Sequence, residues 1–351
     1  MFIKPLPVDD LINIVKELES DLHSLQNAKI FITGASGFFG TWIVNTIAKA
    51  NQLLSLNIST TLLSRSADFR PFLSPDLAPY LNYDVVIGDV RNFESPSGVF
   101  THVIHAATTN AEETFKGELA INKYRLLLDG TNRVIDFCRE KNVKKILFTS
   151  SGVVYGQSVL SKMKTGFNEN DLLAPDISDL STALGQGKRA AEFALNLYSD
   201  EAKADVAIAR CFSFVGPGLP LDLHYAIGNF IKSAICHEDI VIQGDGTPVR
   251  SYLYVGDLMI WLFKLLINTN GFEIFNVGSG KAISIKELAV TSIDLLSPEN
   301  RVEILAKSNA SHGNPTRNVY IPDVEKIKLR FGVSEKTTLE ESLLKTYNYY
   351  C

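Results

Sequence analysis

Residues 29–47 read KIFITGASGFFGTWIVNTI: an apolar run, a glycine-rich turn, then apolar residues at helical spacing. The turn carries Gly34, Gly37 and Gly40 in a GxxGxxG arrangement. A strand that feeds a helix through such a turn uses each glycine differently. Gly34 permits the tight bend, Gly37 the close approach of a pyrophosphate, and Gly40 close packing of helix on sheet. Phe38 and Phe39 open the helix, where unpaired N–H groups and the positive end of the helix dipole favour an anion. The stretch predicts a dinucleotide-binding strand–turn–helix unit formed by Gly34, Gly37, Phe38, Phe39 and Gly40.

The same texture continues along the chain. TTLLS, YDVVIGD, THVIHAA, KKILFTSS and DVAIARCFSF read as further buried strands, with helices expected at 38–51, 118–141 and 181–199. This alternation predicts an α/β fold with a doubly wound, Rossmann-like parallel sheet covered on both faces. After Gly216-Pro217 the texture changes. Helices near 225–237, 255–268, 284–296 and 338–349 alternate with short strands such as IVIQ and FEIFNV, predicting a smaller mixed α/β lobe. The expected organisation is a helical extension over 1–28, a dinucleotide-binding domain over 29–210 and a substrate lobe over 211–351, with segments of the last free to return to the sheet.

A chain of 351 residues exceeds what one core usually organises, and 46% apolar with 21% charged residues is an ordinary globular balance. The net charge of −5 argues against a nucleic-acid partner. The four cysteines and six histidines are scattered without metal-ligand spacing, so no metal is expected. The thiols read as reduced and mostly buried, in a cytoplasmic protein. His105 ends an apolar run and reads as a packed strand-end residue. In the N-terminal segment Leu11, Ile14, Val15, Leu18, Leu22 and Leu25 recur at helical spacing, which predicts an amphipathic helix docked on its own domain. The segment lacks a signal-peptide core, and no later run suggests a membrane span.

TGASGFFG, the dipeptide Gly88-Asp89, HAA at 105–107, TSSGVVYG at 149–156 and the helix bearing Lys188 occur in that order. The series resembles the extended short-chain dehydrogenase/reductases, especially the nucleotide-sugar epimerase/dehydratase family, from about Lys29 to Phe331. The resemblance implies that Asp89 and Val90 line an adenine and that Ala106 and Ala107 pass beside the pyrophosphate or ribose. From the residues alone, Asp89 equally suits a strand-end turn. The second strand ends LLSRSADFR, with Arg65 and no carboxylate before Asp68. A guanidinium clamps a 2′-phosphate better than a bare hydroxyl, which points to NADP over NAD. A solvated surface arginine is the alternative.

On the substrate side, the resemblance implies that Arg250 and Arg317 hold the diphosphate of a nucleotide-diphosphate sugar and that Asn229 contacts it. Each arginine alone would read as a surface ion pair. The family pattern R-x-F-N-x-x-G-P appears here as RCFSFVGP, with Ser213 at the asparagine position. A homodimer through the helices at 118–141 and 181–199 is also implied, with Leu126, Leu127, Ala190, Ala191 and Ala194 available for close packing.

Family chemistry begins with hydride removal at a sugar carbon, usually C4. A tyrosine accepts the hydroxyl proton, a lysine lowers that tyrosine's pKa and holds the nicotinamide ribose, and Ser or Thr binds the reacting oxygen. Ser151 and Lys188 match this set, but the tyrosine position is Leu184, which transfers no proton. Gly152-Val153 also stands where typical 4,6-dehydratases carry Asp-Glu. Three readings follow: an epimerase, dehydratase or reductase with a rerouted proton, using Tyr155 or water; a noncatalytic binder of dinucleotide or sugar nucleotide; or an ordinary enzyme disabled by substitution at 184. Tyr155 reads most simply as a packed strand-end aromatic.

Overall fold

The computed structural model describes residues 4–109, 118–156, 166–222, 225–305 and 319–351. Six strands come first: β1 (Lys29–Thr33), β2 (Ser59–Ser64), β3 (Asn82–Ile87), β4 (His102–His105), β5 (Lys145–Ser151) and β6 (Asp205–Cys211). The short β7 (Phe214–Val215), β8 (Ile240–Ile242), β9 (Val249–Arg250) and β10 (Leu253–Tyr254) precede β11 (Phe272–Val277), and β12 (Ile283–Ser284), β13 (Val302–Ile304) and β14 (Val319–Tyr320) follow. The helices are α1 (Val8–Glu17), the single turn α2 (Glu19–Leu22), α3 (Phe38–Leu54), α4 (Ala120–Lys141), α5 (Ala183–Ala202), α6 (Ala226–Ile235), α7 (Val255–Asn268), α8 (Ile285–Leu296), α9 (Glu325–Phe331) and α10 (Leu339–Tyr350).

The main sheet has seven strands in the order β11-β6-β5-β4-β1-β2-β3, every neighbouring pair parallel. Parallel strands need crossover connections, and here the helices supply them on both faces. Helices α1, α3 and α7 share one core with the sheet, while α4 and α5 cover the opposite face. The order reverses between β1 and β4, and the crevice beyond the carboxyl ends of those strands is where such sheets take ligands.

Two strands depart from their sequence reading. FEIFNV is the edge strand of the main sheet, paired with β6 from Phe272↔Val206 to Val277↔Cys211, and does not belong to the smaller lobe. YDVVIGD forms the opposite edge and is only half-buried, with Ile87 50% exposed. A strand with one neighbour keeps an open flank whatever its composition.

The N-terminal helix docks on its own domain. Leu11, Ile14, Val15, Leu18, Leu22 and Leu25 are buried in the core shared with α3 and α7. Asp10 fixes the contact, accepting from Tyr254 Oη at 2.6 Å and pairing with Lys345. The smaller lobe gathers α6, α8 and α10 around Ile227, Phe230, Ile231, Leu288, Ile293 and Leu343. Beside them, β9 pairs antiparallel with β12 and parallel with β14.

Candidate active site

Gly34 and Ala106 face each other across the switch point. Gly34 follows β1 with φ +76°, and a Cβ there would lie 2.6 Å from the Ala106 carbonyl carbon and 2.7 Å from the Ala107 nitrogen. Gly40, in the first turn of α3, is equally closed: a Cβ would meet the Gly34 oxygen at 2.2 Å. Gly37 differs. It is the N-cap of α3, and a Cβ there would meet only the Gly34 oxygen, at an ordinary 3.4 Å. Backbone therefore crowds two glycines while the third presents an open face at a helix N-terminus. That cradle suits a pyrophosphate of a dinucleotide. Phe38 and Phe39 are half-buried at the helix start, and Phe39 packs edge-on against Phe214, 5.1 Å between ring centroids.

The cradle is braced by His105. Thr33 Oγ1 lies 2.7 Å from His105 Nδ1 and accepts from the Ala107 N–H at 3.1 Å. His105 Nε2 lies 3.1 Å from Thr131 Oγ1, which donates to the Leu127 carbonyl at 2.7 Å. With its proton on the Leu127 carbonyl, Thr131 accepts from Nε2–H, and in the neutral ring Nδ1 then accepts from the Thr33 hydroxyl. Burial holds its pKa down at about 3, helped by the positive charge of Lys188.

Arg65 is exposed just past the end of β2, and Asp89 stands two residues past the end of β3. Arg91 donates to both Asp89 oxygens, at 2.7 and 2.9 Å, and this pairing holds the carboxyl below its usual range against the opposing effect of burial. Arg65 adds a smaller electrostatic contribution of the same sign. Two guanidiniums thus flank Asp89, a cluster of which the sequence reading had Arg65 and Asp89 but not Arg91. Val90 is buried and closes onto Gly130, where a Cβ would lie 2.9 Å from its Cγ1.

Ser151 ends β5 and caps the 3-10 turn Gly152–Tyr155. Its neighbour Ser150 donates to Glu192 at 2.6 Å, and Glu192 pairs with Arg210 at 2.7 Å. This buried network ties the end of β5 to α5 and β6. Helix α5 lies close because two of its residues are glycine: a Cβ on Gly185 would meet the Val153 oxygen at 2.7 Å, and one on Gly187 the Leu127 side chain at 2.8 Å. Lys188 then reaches in, donating to the Thr149 carbonyl at 2.7 Å with Nζ 4.6 Å from the Phe148 ring centroid. Burial brings its pKa down to about 8, with Cys211 and Glu192 opposing.

Leu184 sits half-buried in the first turn of α5. Tyr155, named from the sequence as an alternative proton acceptor, is enclosed in packing. It is 1% exposed, stacks on Phe167 and donates to Asn276 Oδ1 at 2.8 Å, and burial pushes its pKa up to about 12. The packed reading holds for Tyr155.

Asn229 is exposed on α6 and Arg250 half-buried on β9, both in the smaller lobe. Arg317 lies outside the described residues. Ser213 contributes its carbonyl, which accepts from the Leu253 N–H at 3.0 Å. The sequence reading also missed Tyr320, whose hydroxyl lies 3.4 Å from Ser151 Oγ. Among the described residues no group of three or more His, Cys, Asp or Glu side chains is placed to hold a metal.

The model of the NAD dependent epimerase/dehydratase family matches residues 30–278. UDP-glucuronic acid decarboxylase 6 of Arabidopsis thaliana is 25% identical over 320 residues, spanning 90% of this chain and 87% of that protein. UDP-glucuronic acid decarboxylase 1 of Xenopus tropicalis is 22% identical over 328 residues, 92% of this chain and 72% of that protein. Among solved structures, Pal from Bacillus thuringiensis superposes with a TM-score of 0.74 at 24% identity, covering 92% of this chain and 98% of that one. The UDP-glucose 4-epimerase of Thermotoga maritima, solved with UDP-glucose, gives 0.71 at 19% identity with the same coverage.

Proposed function

The chain belongs to the NAD dependent epimerase/dehydratase family, and from that membership we propose that it uses a nicotinamide dinucleotide to modify a nucleotide-diphosphate sugar at C4. The observation that carries the reading is the cradle at the switch point, closed at Gly34 and Gly40 and open at Gly37, with Ser151 at the end of β5 and Lys188 of α5 reaching the Thr149 carbonyl of that strand. When bound, the dinucleotide supplies the hydride acceptor for the sugar carbon.

The chain's own groups divide the remaining work. The α3 N-terminus at Gly37, Phe38 and Phe39 binds the pyrophosphate, with Ala106 and Ala107 alongside. Asp89 and Val90 border the adenine. Lys188 spends one N–H on the Thr149 carbonyl and directs the others to the nicotinamide ribose. Ser151 binds the reacting hydroxyl. Arg250, Arg317 and Asn229 hold the nucleotide-diphosphate. Arg65, joined by Arg91, favours a 2′-phosphate, so NADP is the preferred cofactor. With Gly152 and Val153 bringing no acid to the site, epimerase, reductase or decarboxylase outcomes are better supported than a 4,6-elimination.

The protein works as a homodimer. Leu127 lies buried against Gly187 of α5, and Ala191 is buried in the core beneath α4 and α5, so the proposed dimer surface uses other residues of these helices. The exposed apolar residues of those helices are Ile121, Phe193 and Leu197, at 51%, 63% and 56%. Among the described residues no helix is long and apolar enough to cross a membrane, and the buried thiols of Cys138 and Cys211 suit the reducing cytoplasm.

Leu184 favours a second reading, a protein that binds these ligands without turning them over. Calorimetry with NAD, NADP and a set of UDP- and dTDP-sugars, followed by product mass, separates the two. Binding of dinucleotide and sugar nucleotide with a changed product mass is expected. Dinucleotide binding without any sugar-nucleotide binding would reject the proposal.

A further inference from the structure

We propose that Tyr320 supplies the phenol that position 184 lacks, taking the proton of the reacting sugar hydroxyl together with Ser151. The inference rests on the nucleotide-sugar reading above and names the proton-transfer group of that site.

The geometry starts from two oxygens. Tyr320 Oη lies 3.4 Å from Ser151 Oγ and 3.5 Å from the Cys211 carbonyl. The first separation exceeds a formed hydroxyl–hydroxyl bond, but a third oxygen about 2.7 Å from each closes a triangle. A sugar hydroxyl placed on Ser151 would therefore meet the phenol as well. Hydrogen bonds used in catalysis are often long before substrate arrives.

Gly152 makes the arrangement possible. A Cβ at this position would lie 2.8 Å from Tyr320 Oη and 2.7 Å from two carbons of the Phe212 ring. The side chain missing at 152 and the phenol at 320 thus account for one another: the space beside Ser151 is filled from the smaller lobe.

The phenol is well held. Its ring packs on Phe212 with centroids 4.6 Å apart, against the cluster of Val154, Tyr155 and Phe167. Strand β14 fixes its height by parallel pairing with β9, where Tyr320 stands opposite Arg250. The strand that delivers the phenol is thereby registered to the strand that carries the proposed diphosphate clamp. Substrate seated on Arg250 and the hydroxyl of Tyr320 share one structural reference.

The step balances as follows. The sugar O–H bond breaks and its proton passes to the Tyr320 phenolate, directly or through the Ser151 hydroxyl. The O–H electron pair becomes the second carbon–oxygen bond, and the hydride leaving carbon reduces the oxidised nicotinamide dinucleotide. In the reverse direction Tyr320 returns the proton to the carbonyl oxygen.

The test uses the full chain with UDP-glucose, UDP-glucuronic acid, UDP-N-acetylglucosamine and dTDP-glucose as probes. Tyr320→Phe is expected to slow reduction of bound cofactor by at least about a hundredfold, the lower end of general acid–base contributions. Its dissociation constants for sugar nucleotide and dinucleotide should stay within about threefold of the parent. Replacing Tyr320 with 3-fluorotyrosine, whose phenol is more acidic, should move the pH dependence of reduction to lower pH; a tyrosine that only lines the pocket would leave it in place. In cofactor-free protein the fluorine resonance at 320 should shift when a probe that binds calorimetrically is added. Parental rates in Tyr320→Phe, an unmoved pH profile, an unmoved resonance, or a parent that binds a probe without reducing cofactor would each overturn the inference while leaving nucleotide-sugar binding intact. If none of the probes binds, the underlying functional reading fails as well.

Discussion

A Cβ placed on Gly34 would sit 2.6 Å from the carbonyl carbon of Ala106, so the turn after β1 and the chain after β4 are in backbone contact at the switch point. Gly34→Ala therefore faces both that contact and a φ of +76°. The backbone conformation alone costs roughly 1–3 kcal/mol for a residue with a side chain. Denaturant unfolding should show a loss at or above that range. Gly37→Ala has neither problem and should unfold like the parent, yet bind dinucleotide more weakly because its methyl enters the open face. Equal stability losses in the two variants would contradict this division.

Arg65 and Arg91 flank Asp89 at the ends of neighbouring strands, and Arg91 donates to both carboxylate oxygens. Arg65→Ala should weaken NADP binding by roughly tenfold, the scale of one charge-assisted contact, and leave NAD within about twofold. Calorimetric titration of the two cofactors decides it. Equal losses for both would remove Arg65 from the 2′-phosphate.

His105 makes stability depend on pH. Its native pKa is held at about 3 against 6.5 in the open chain. As pH falls below 6.5, the unfolded chain takes up a proton that the native ring refuses. The stability contribution is thus present above 6.5 and lost on acidification, at about 1.4 kcal/mol per pH unit until the native ring titrates. Between pH 6.5 and 5 this residue alone should remove about 2 kcal/mol in urea unfolding. His105→Gln should flatten the slope over that window. An unchanged slope would mean the ring is not the source.

How much of this was readable beforehand follows from the range of each interaction. The turn at Gly34–Gly40 was legible because bend, helix start and helix packing are all encoded within seven residues. The return of FEIFNV to the main sheet was not, since a short apolar run reads alike in either lobe. Leu127 and Phe193 show the same limit on helices: both are apolar, but one is 3% and the other 63% exposed, and only the docking of α4 on α5 tells them apart. Leu184 was legible as a departure from the family pattern. The approach of Tyr320 to Ser151 was not, because the two lie 169 positions apart and meet through the pairing of β14 with β9.

Phe193 and Leu197 stand one turn apart on α5, 63% and 56% exposed. A twofold axis through this face would count each residue twice, so every substitution is felt on both sides of the interface. Burying a phenylalanine contributes about 1.5–3 kcal/mol, hence at least about 3 kcal/mol for the symmetric pair. Phe193→Asp should accordingly raise the dimer dissociation constant by at least about a hundredfold. Leu197→Asp should act in the same direction, whereas Leu329→Asp, on the exposed side of α9 at 83%, should leave assembly alone. Sedimentation velocity over a concentration series reads all three. A parent that sediments as a monomer at every concentration would reject the dimer outright, and a Phe193→Asp protein that remains dimeric would move the interface off this face.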